Sequence, residues 1–288
     1  MSRFSSRLVT VAAVAALTVG LAACSSPASA PSASGSASAS SVDVKQLTVT
    51  PGKLTIATGK PAYSPWVEDD KPESGKGFEA AVAYAVAEKL GFTKDEVVWT
   101  RTTFDEAIAP GPKDWDFNLQ QFSITDKRKK AVDFSSPYYT TTQAVLTYKG
   151  SPVAGATSIA DLKSAKIGVA VGTTSQTAVT NLIAPTSEPS VYNNNDDAVQ
   201  ALKTKQIDAL VIDLPTALYL SAAVIDNGVI VGQLADNTGG DQFGLVLAKG
   251  SALTAPVTAA VDALRADGTL TALEKQWLSE SIKVPVLS

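Results

Sequence analysis

Residues 120–134 read QQFSITDKRKKAVDF, placing a hydroxyl, Ser123, shortly ahead of an arginine, Arg128. A guanidinium is a planar fork that can take a carboxylate through two parallel hydrogen bonds, where an ammonium offers a point charge. Ser123 and Arg128 are therefore read as half of a site for a small carboxylic acid. The competing reading is a strand over residues 116–119 followed by a solvated charge run at 127–130. Few other chemistries are open. The 288 residues contain no histidine and a single cysteine, Cys24. This excludes Ser-His-Asp and Cys-His catalysis, imidazole-based zinc sites, cysteine clusters and intrachain disulfides, so no cofactor or metal is expected. A formal net charge of −4 with no basic block beyond 127–130 argues against nucleic acid as partner.

The N-terminus reads as an export address. Arg3 and Arg7 precede an apolar run at 8–17 and small residues at 22–23, the pattern of a secretory signal. A transmembrane anchor is the alternative, but the run is short and the segment contains Thr10, Thr18 and Gly20. Leu21-Ala22-Ala23-Cys24 resembles the bacterial lipoprotein box. That resemblance implies removal of residues 1–23 and acylation of Cys24, with palmitate among the attached groups. Residues 25–41 are almost only Ser, Ala, Pro and Gly, too polar and small to offset their ordering entropy, so residues 24–45 are expected to be a tether.

The elements that must position the site follow from periodicity. Residues 54–58 alternate as a strand and run into a loop carrying Tyr63 and Trp66, and residues 78–90 have helical spacing. A strand at 97–99 and a short helix at 104–109 follow. Apolar positions then switch from 117 and 119 to 122 and 124, which one regular strand cannot accommodate, so a bend is expected at Gln120-Gln121. Residues 135–139 read as a turn and 143–148 as a strand. A second series begins near 166, with strands at 167–171, 190–192, 207–212 and 228–231. Its helix at 198–203 is expected to be capped by Asn195 or Asp196, and Pro215 opens another. A β-stretch at 242–248 and helices at 255–266 and 269–278 complete an α/β architecture.

These pieces, in order, resemble the family-3 bacterial solute-binding proteins, the amino-acid-type receptors of ABC importers. The resemblance rests on residues 61–66 (PAYSPW), Gly77-Phe78-Glu79, residues 123–128 (SITDKR), 132–139 (VDFSSPYY), 169–174 (VAVGTT), Ile207-Asp208-Ala209 and 266–269 (ADGT). It implies a type II periplasmic-binding-protein fold of two α/β lobes with the ligand between them and a two-strand hinge. The implied division is 46–143 with 238–288 in the first lobe and 144–237 in the second.

Residue by residue, the resemblance makes Arg128 the clamp on the ligand α-carboxylate, with Ser123 beside it. Thr173 and Thr174 would meet the same group from the second lobe, although a plain helix cap explains them too. Asp213 would hold the amine, or else cap the helix at Pro215. Tyr63 and Phe104 would be aromatic walls, or simple core, and Trp66 is read as core. Two departures stand out. Many members carry an acid just after the first strand, where this chain has Gly59 and Lys60, and Gln120 and Gln121 replace small residues. These amides point to a polar or neutral ligand. The resemblance thus implies a monomeric, lipid-anchored, non-enzymatic receptor outside the cell membrane that delivers an amino acid to permease subunits. The alternative is a dehydratase of the same fold acting on a cyclic acid, for which Asp213 and Glu106 are the available protonatable groups.

Overall fold

The computed structural model describes residues 43–235, 239–278 and 283–288. The signal segment, Cys24 and residues 24–42 of the expected tether lie outside these residues. Residues 43–45, expected to belong to the tether, are structured. Asp43 caps a short 3-10 helix, Val44–Gln46, and Lys45 pairs with Glu96 at 2.7 Å.

Strand β1 (Leu54–Gly59) is buried at every position, as a central parallel strand should be. It pairs in parallel with β2 (Val97–Thr102) and β3 (Phe117–Asn118). An antiparallel β10 (Asp241–Ala248) joins β3 to β4 (Val132–Thr141), so the sheet order is β2-β1-β3-β10-β4. Helix α1 (Phe78–Lys89) turns Phe78, Val82 and Val86 into a core shared with Leu54 and Ile56 of β1. Helices α7 (Thr254–Ala266) and α8 (Thr269–Trp277) add Val257, Val261 and Leu270 to it. Two short helices, α2 (Phe104–Ile108) and α3 (Asp126–Lys129), stand at the strand ends.

The second sheet has the order β11-β9-β5-β8-β6-β7. It is built from β5 (Gln143–Tyr148), β6 (Ile167–Ala170), β7 (Ser190–Tyr192), β8 (Ala209–Asp213), β9 (Gly228–Leu234) and β11 (Val286–Leu287). Helices α4 (Thr174–Ala178), α5 (Asn195–Lys203) and α6 (Leu214–Ala223) complete this lobe. One crossing between the sheets lies between β4 and β5. The other lies between β9 and β10.

Several expectations need correction. Residues 238–288 do not all stay with the first sheet. Val286 and Leu287 pair in parallel with Gln233 and Leu234, making a third passage between the lobes. Gly232 permits this, because a Cβ there would stand 2.6 Å from the Leu287 side chain. The tail is too short to show a strand period in sequence. Residues 135–139 are not a turn but part of β4. Pro137 lies opposite Gly244 where the ladder register slips, so its missing N–H is tolerated. The cap of α5 is Asn194, whose Oδ1 accepts from the Asp197 amide at 2.9 Å, in place of Asn195 or Asp196.

Candidate functional site

The bend expected after β3 is present. Gln121 takes a left-handed φ of 50°, and the chain reverses parity there so that Leu119 and Phe122 are both buried. The Ile124 amide donates to the Gln242 carbonyl at 2.7 Å, and the Gly244 amide donates to the Phe122 carbonyl at 3.1 Å, fixing this loop on β10. Gly244 is required for that approach, since a Cβ would meet Ile124 at 2.8 Å and Phe134 at 3.0 Å. Thr125 then caps α3, accepting from the Arg128 amide at 3.2 Å.

That geometry separates Arg128 from its charged neighbours. Lys127, Lys129 and Lys130 are exposed, whereas Arg128 is 8% exposed. Its Nη1 donates to the Ser123 carbonyl at 2.7 Å and its guanidinium lies 5.1 Å over the Phe104 ring. Nη2 donates across the cleft to the Gly172 carbonyl at 3.1 Å. A guanidinium has five N–H donors, so donors remain for a carboxylate. Ser123 is also buried, and its hydroxyl lies 3.2 Å from that of Thr174 in the second lobe.

On the second lobe, Thr173 caps α4 and is committed locally. Its hydroxyl accepts from the Gln176 amide at 3.1 Å and donates to the Ala170 carbonyl at 2.8 Å. Asp213 stands at the N-cap position of α6 but makes no side-chain cap bond. Its Oδ1 instead accepts from Gln143 Nε2 at 2.7 Å. Burial pushes the Asp213 carboxyl up to about 7, and the nearby Asp241 charge adds to this, against the Gln143 hydrogen bond and Arg128. Asp208, by contrast, is structural: its carboxylate accepts from the Lys166 amide at 2.8 Å.

A cavity of about 200 Å³ lies between the strand ends of the two lobes. Tyr63, Phe104, Gln120, Gln121, Ser123, Arg128, Thr173, Thr174 and Asp213 all line it. Lys60, noted in sequence only as a departure, and Asn193, Asn194 and Asn195, none of them expected at the site, also line it. The three asparagines precede and open α5, and in sequence only Asn195 has a role, as a candidate cap. Tyr63 is not simple core, because it lines the cavity. Burial first, then the Asp196 charge, hold its phenol above the ordinary range. Phe104 stacks 4.8 Å from Phe122 beneath Arg128.

The two glutamines differ. The Gln121 amide N–H donates to Glu79 Oε1 at 2.8 Å, and its side chain also donates to Glu79. Gln120 keeps a buried Oε1 with no hydrogen-bond partner among the described residues. Glu79 is itself buried and also accepts from the Tyr138 hydroxyl. Burial pushes its carboxyl up to about 7, with those hydrogen bonds opposing. An acid raised in the fold is stabilising below its unfolded value of 4.5, and that contribution is lost as pH rises to about 7. The ligand-free protein should therefore lose on the order of 3 kcal/mol between pH 4.5 and 7 through this group. Thermal unfolding of Glu79→Gln should show a flatter pH dependence; an unchanged slope would contradict this.

Trp66, read as core, is fully buried against Phe78, Tyr139 and Phe243 at ring separations of 6.0, 5.7 and 5.7 Å. Its indole N–H nevertheless donates to Thr216 Oγ1 in the second lobe at 2.8 Å. Thr216→Val removes this bond without touching the cavity lining. We expect about 1 kcal/mol less closure energy, hence roughly fivefold weaker ligand binding. Titration calorimetry showing unchanged affinity would contradict it. Glu106 is exposed and bound to the Thr103 amide at 2.8 Å as part of the α2 cap, outside the cavity lining.

Two α/β sheets joined through strand crossings, with a charged cavity between their strand ends, define the type II periplasmic-binding-protein class of solute receptors. Residues 54–280 match the bacterial extracellular solute-binding proteins, family 3, and the chain belongs to that family. The L-cystine-binding protein of Escherichia coli is 30% identical over 209 residues, which is 72% of this chain and 75% of that protein. A probable histidine-binding protein of Campylobacter jejuni is 32% identical over 203 residues, 68% of this chain and 73% of that one. Among solved structures, an ancestral arginine-binding protein bound to glutamine matches with a TM-score of 0.67 at 32% identity, covering 80% of this chain and 99% of that one. An ancestral amino acid-binding protein, described as a precursor of cyclohexadienyl dehydratase, matches with a TM-score of 0.65 at 30% identity, covering 79% and 96%.

Proposed function

We propose that this protein is the amino-acid receptor of an ABC importer and that it holds its ligand between Arg128 and Asp213. The observation that carries the reading is the opposed pair itself. One cavity wall presents a buried guanidinium and another a carboxylate, which match the two ends of an α-amino acid zwitterion. A ligand touching both lobes favours the closed arrangement through contacts available only there, a population shift of the kind periplasmic binding proteins undergo as a class. The names of the relatives span cystine, histidine and arginine, so family membership leaves the ligand side chain open.

The remaining lining supports a neutral polar side chain. Lys60, Asn193 and Asn195 bring donors to the lining, and Gln120 adds an amide. A primary amide, as in glutamine or asparagine, suits this neutral polar lining, whereas an arginine side chain would face Lys60. Cys24 is the proposed attachment point for lipid, holding the receptor near the permease at the outer membrane face. Among the described residues no helix is long and apolar enough to cross a membrane.

A thermal-shift panel of the common amino acids tests this reading, because a ligand that binds only the folded state raises the melting temperature. Glutamine or asparagine should give the largest shift. A panel with no shift, or a response confined to cationic amino acids, would overturn the assignment.

A further inference from the structure

We propose that Gln143, Asp213 and Asp241 form one unit that positions the amine-holding carboxylate and ties its occupancy to both crossings between the sheets. The inference rests on the receptor reading above and extends it to two residues that have no part in the family resemblance. Gln143 opens β5 just after the first crossing and pairs through its backbone with Asp213 at the end of β8. Asp241 opens β10 just after the second crossing and pairs with Thr141 at the end of β4. The two crossings therefore place Gln143, Asp213 and Asp241 side by side.

The side chains use that placement. Gln143 Nε2 donates to Asp213 Oδ1 at 2.7 Å and to Asp241 Oδ2 at 2.6 Å. Its Oε1 accepts from the Ser175 hydroxyl at 2.6 Å. Ionised carboxylates only accept, so this arrangement fixes which end of the amide faces them. Gln143 is 7% exposed, and one neutral amide nitrogen thus serves two carboxylates out of water. Like charges so placed resist joint ionisation.

The surrounding groups do not restore the balance. Arg128 is the cation facing both acids, but Asp105 also acts on it, and Glu79 adds a further negative charge toward Asp213. Tyr138 and Tyr139 face Asp213 as phenols whose ionisation is suppressed, chiefly by burial. A cation is therefore wanted at the pair, and the cavity side is where one can enter. Asp213 lines the ligand cavity; Asp241 lines instead a neighbouring space with Thr142 and Leu234. Asp213 is thus the contact residue, with Asp241 and Gln143 as its positioning residues. Next to them, the Thr142 hydroxyl bonds Gln233 Oε1 at 2.6 Å, adding a tie between the crossings.

The test is Asp241→Asn in the purified protein, titrated with L-glutamine and, in parallel, with L-asparagine and L-arginine from pH 5.5 to 8.5. Asparagine keeps an acceptor for Gln143 and removes the charge. In the unmodified protein affinity should fall as pH drops below about 7, where Asp213 takes up a proton. In Asp241→Asn that acid limb should move down by roughly one unit, so the variant loses about tenfold less than wild type on going from pH 8 to pH 5.5. Without ligand, Asp241→Asn should raise the melting temperature at pH 8 and leave it unchanged at pH 5. A variant whose pH profile and ligand-free melting both parallel wild type overturns the unit. Asp213→Asn separates the two levels. If it weakens binding at pH 8 while Asp241→Asn behaves as wild type, the unit fails and Asp213 acts alone. If Asp213→Asn binds normally, or no amino acid binds the unmodified protein, the receptor reading beneath it fails.

Discussion

Arg128→Ala should weaken amino-acid binding by roughly a hundredfold or more while the protein stays folded. The expectation follows from what the guanidinium has left to give. Two of its donors are spent on the Ser123 and Gly172 carbonyls, and three N–H donors remain on a buried guanidinium that lines the cavity. A hydrogen bond between charged groups contributes about 1.5–3 kcal/mol net, so loss of a two-pronged contact costs about 3–6 kcal/mol. That is roughly two to four decades in affinity. Arg128→Lys keeps a charge but not the fork, and should recover only part of the loss. The fold should survive, because the loop carrying Ser123 is held to β10 by backbone bonds that do not involve the arginine. Calorimetry would read the affinity and circular dichroism the fold. Unchanged affinity in a folded Arg128→Ala protein would remove the carboxylate clamp from the account.

Asp213→Asn should cost about tenfold to a hundredfold in affinity at pH 8 and less at pH 6. The pH sense follows from the position of the free carboxyl. Asp213 titrates near 7 in the fold, raised above its ordinary 3.8 chiefly by burial, with Asp241 adding to it. Such a group contributes to the stability of the ligand-free fold fully below the unfolded value, and that contribution disappears as pH rises through about 7. A bound ammonium reverses this by favouring the ionised form. Ligand stabilisation should therefore grow from pH 6 to pH 8, and asparagine should abolish the growth. Melting temperatures with and without ligand at the two pH values measure it. A ligand-induced shift independent of pH in the unmodified protein would contradict the assignment.

Both predictions concern residues that the family resemblance singled out, against the local readings of a solvated charge run and a helix cap, and the structure brings both to one cavity. Arg128 sits where a short capped helix turns one member of a basic run inward, and the Ser-Ile-Thr-Asp-Lys-Arg pattern signals that turn. Asp213 closes an apolar strand directly ahead of a proline-bearing helix, a local pattern. The α/β alternation, the helices over 78–90 and 255–278, and the bend at Gln120-Gln121 were legible for the same reason, since each is set by neighbours in sequence. What was not legible depends on distant partners. Glu79 looks like a helix-opening charge until Gln121 and Tyr138 close around it. Trp66 looks like core and is core, yet its N–H reaches Thr216, far along the chain. Gln143 and Asp241 read as ordinary strand-opening polar residues, and only the two crossings bring them together. The C-terminal strand β11 is two residues long, too short for any periodicity to betray it.

The central claim is that one amino acid is held by its two charged ends between Arg128 and Asp213. Titration calorimetry with L-glutamine, with its deaminated analogue and with its α-amide tests that most directly. The account predicts one-to-one binding of L-glutamine, with each analogue weaker by at least about tenfold, the α-amide because Arg128 loses its carboxylate and the deaminated acid because Asp213 loses its ammonium. Equal binding of all three would contradict it.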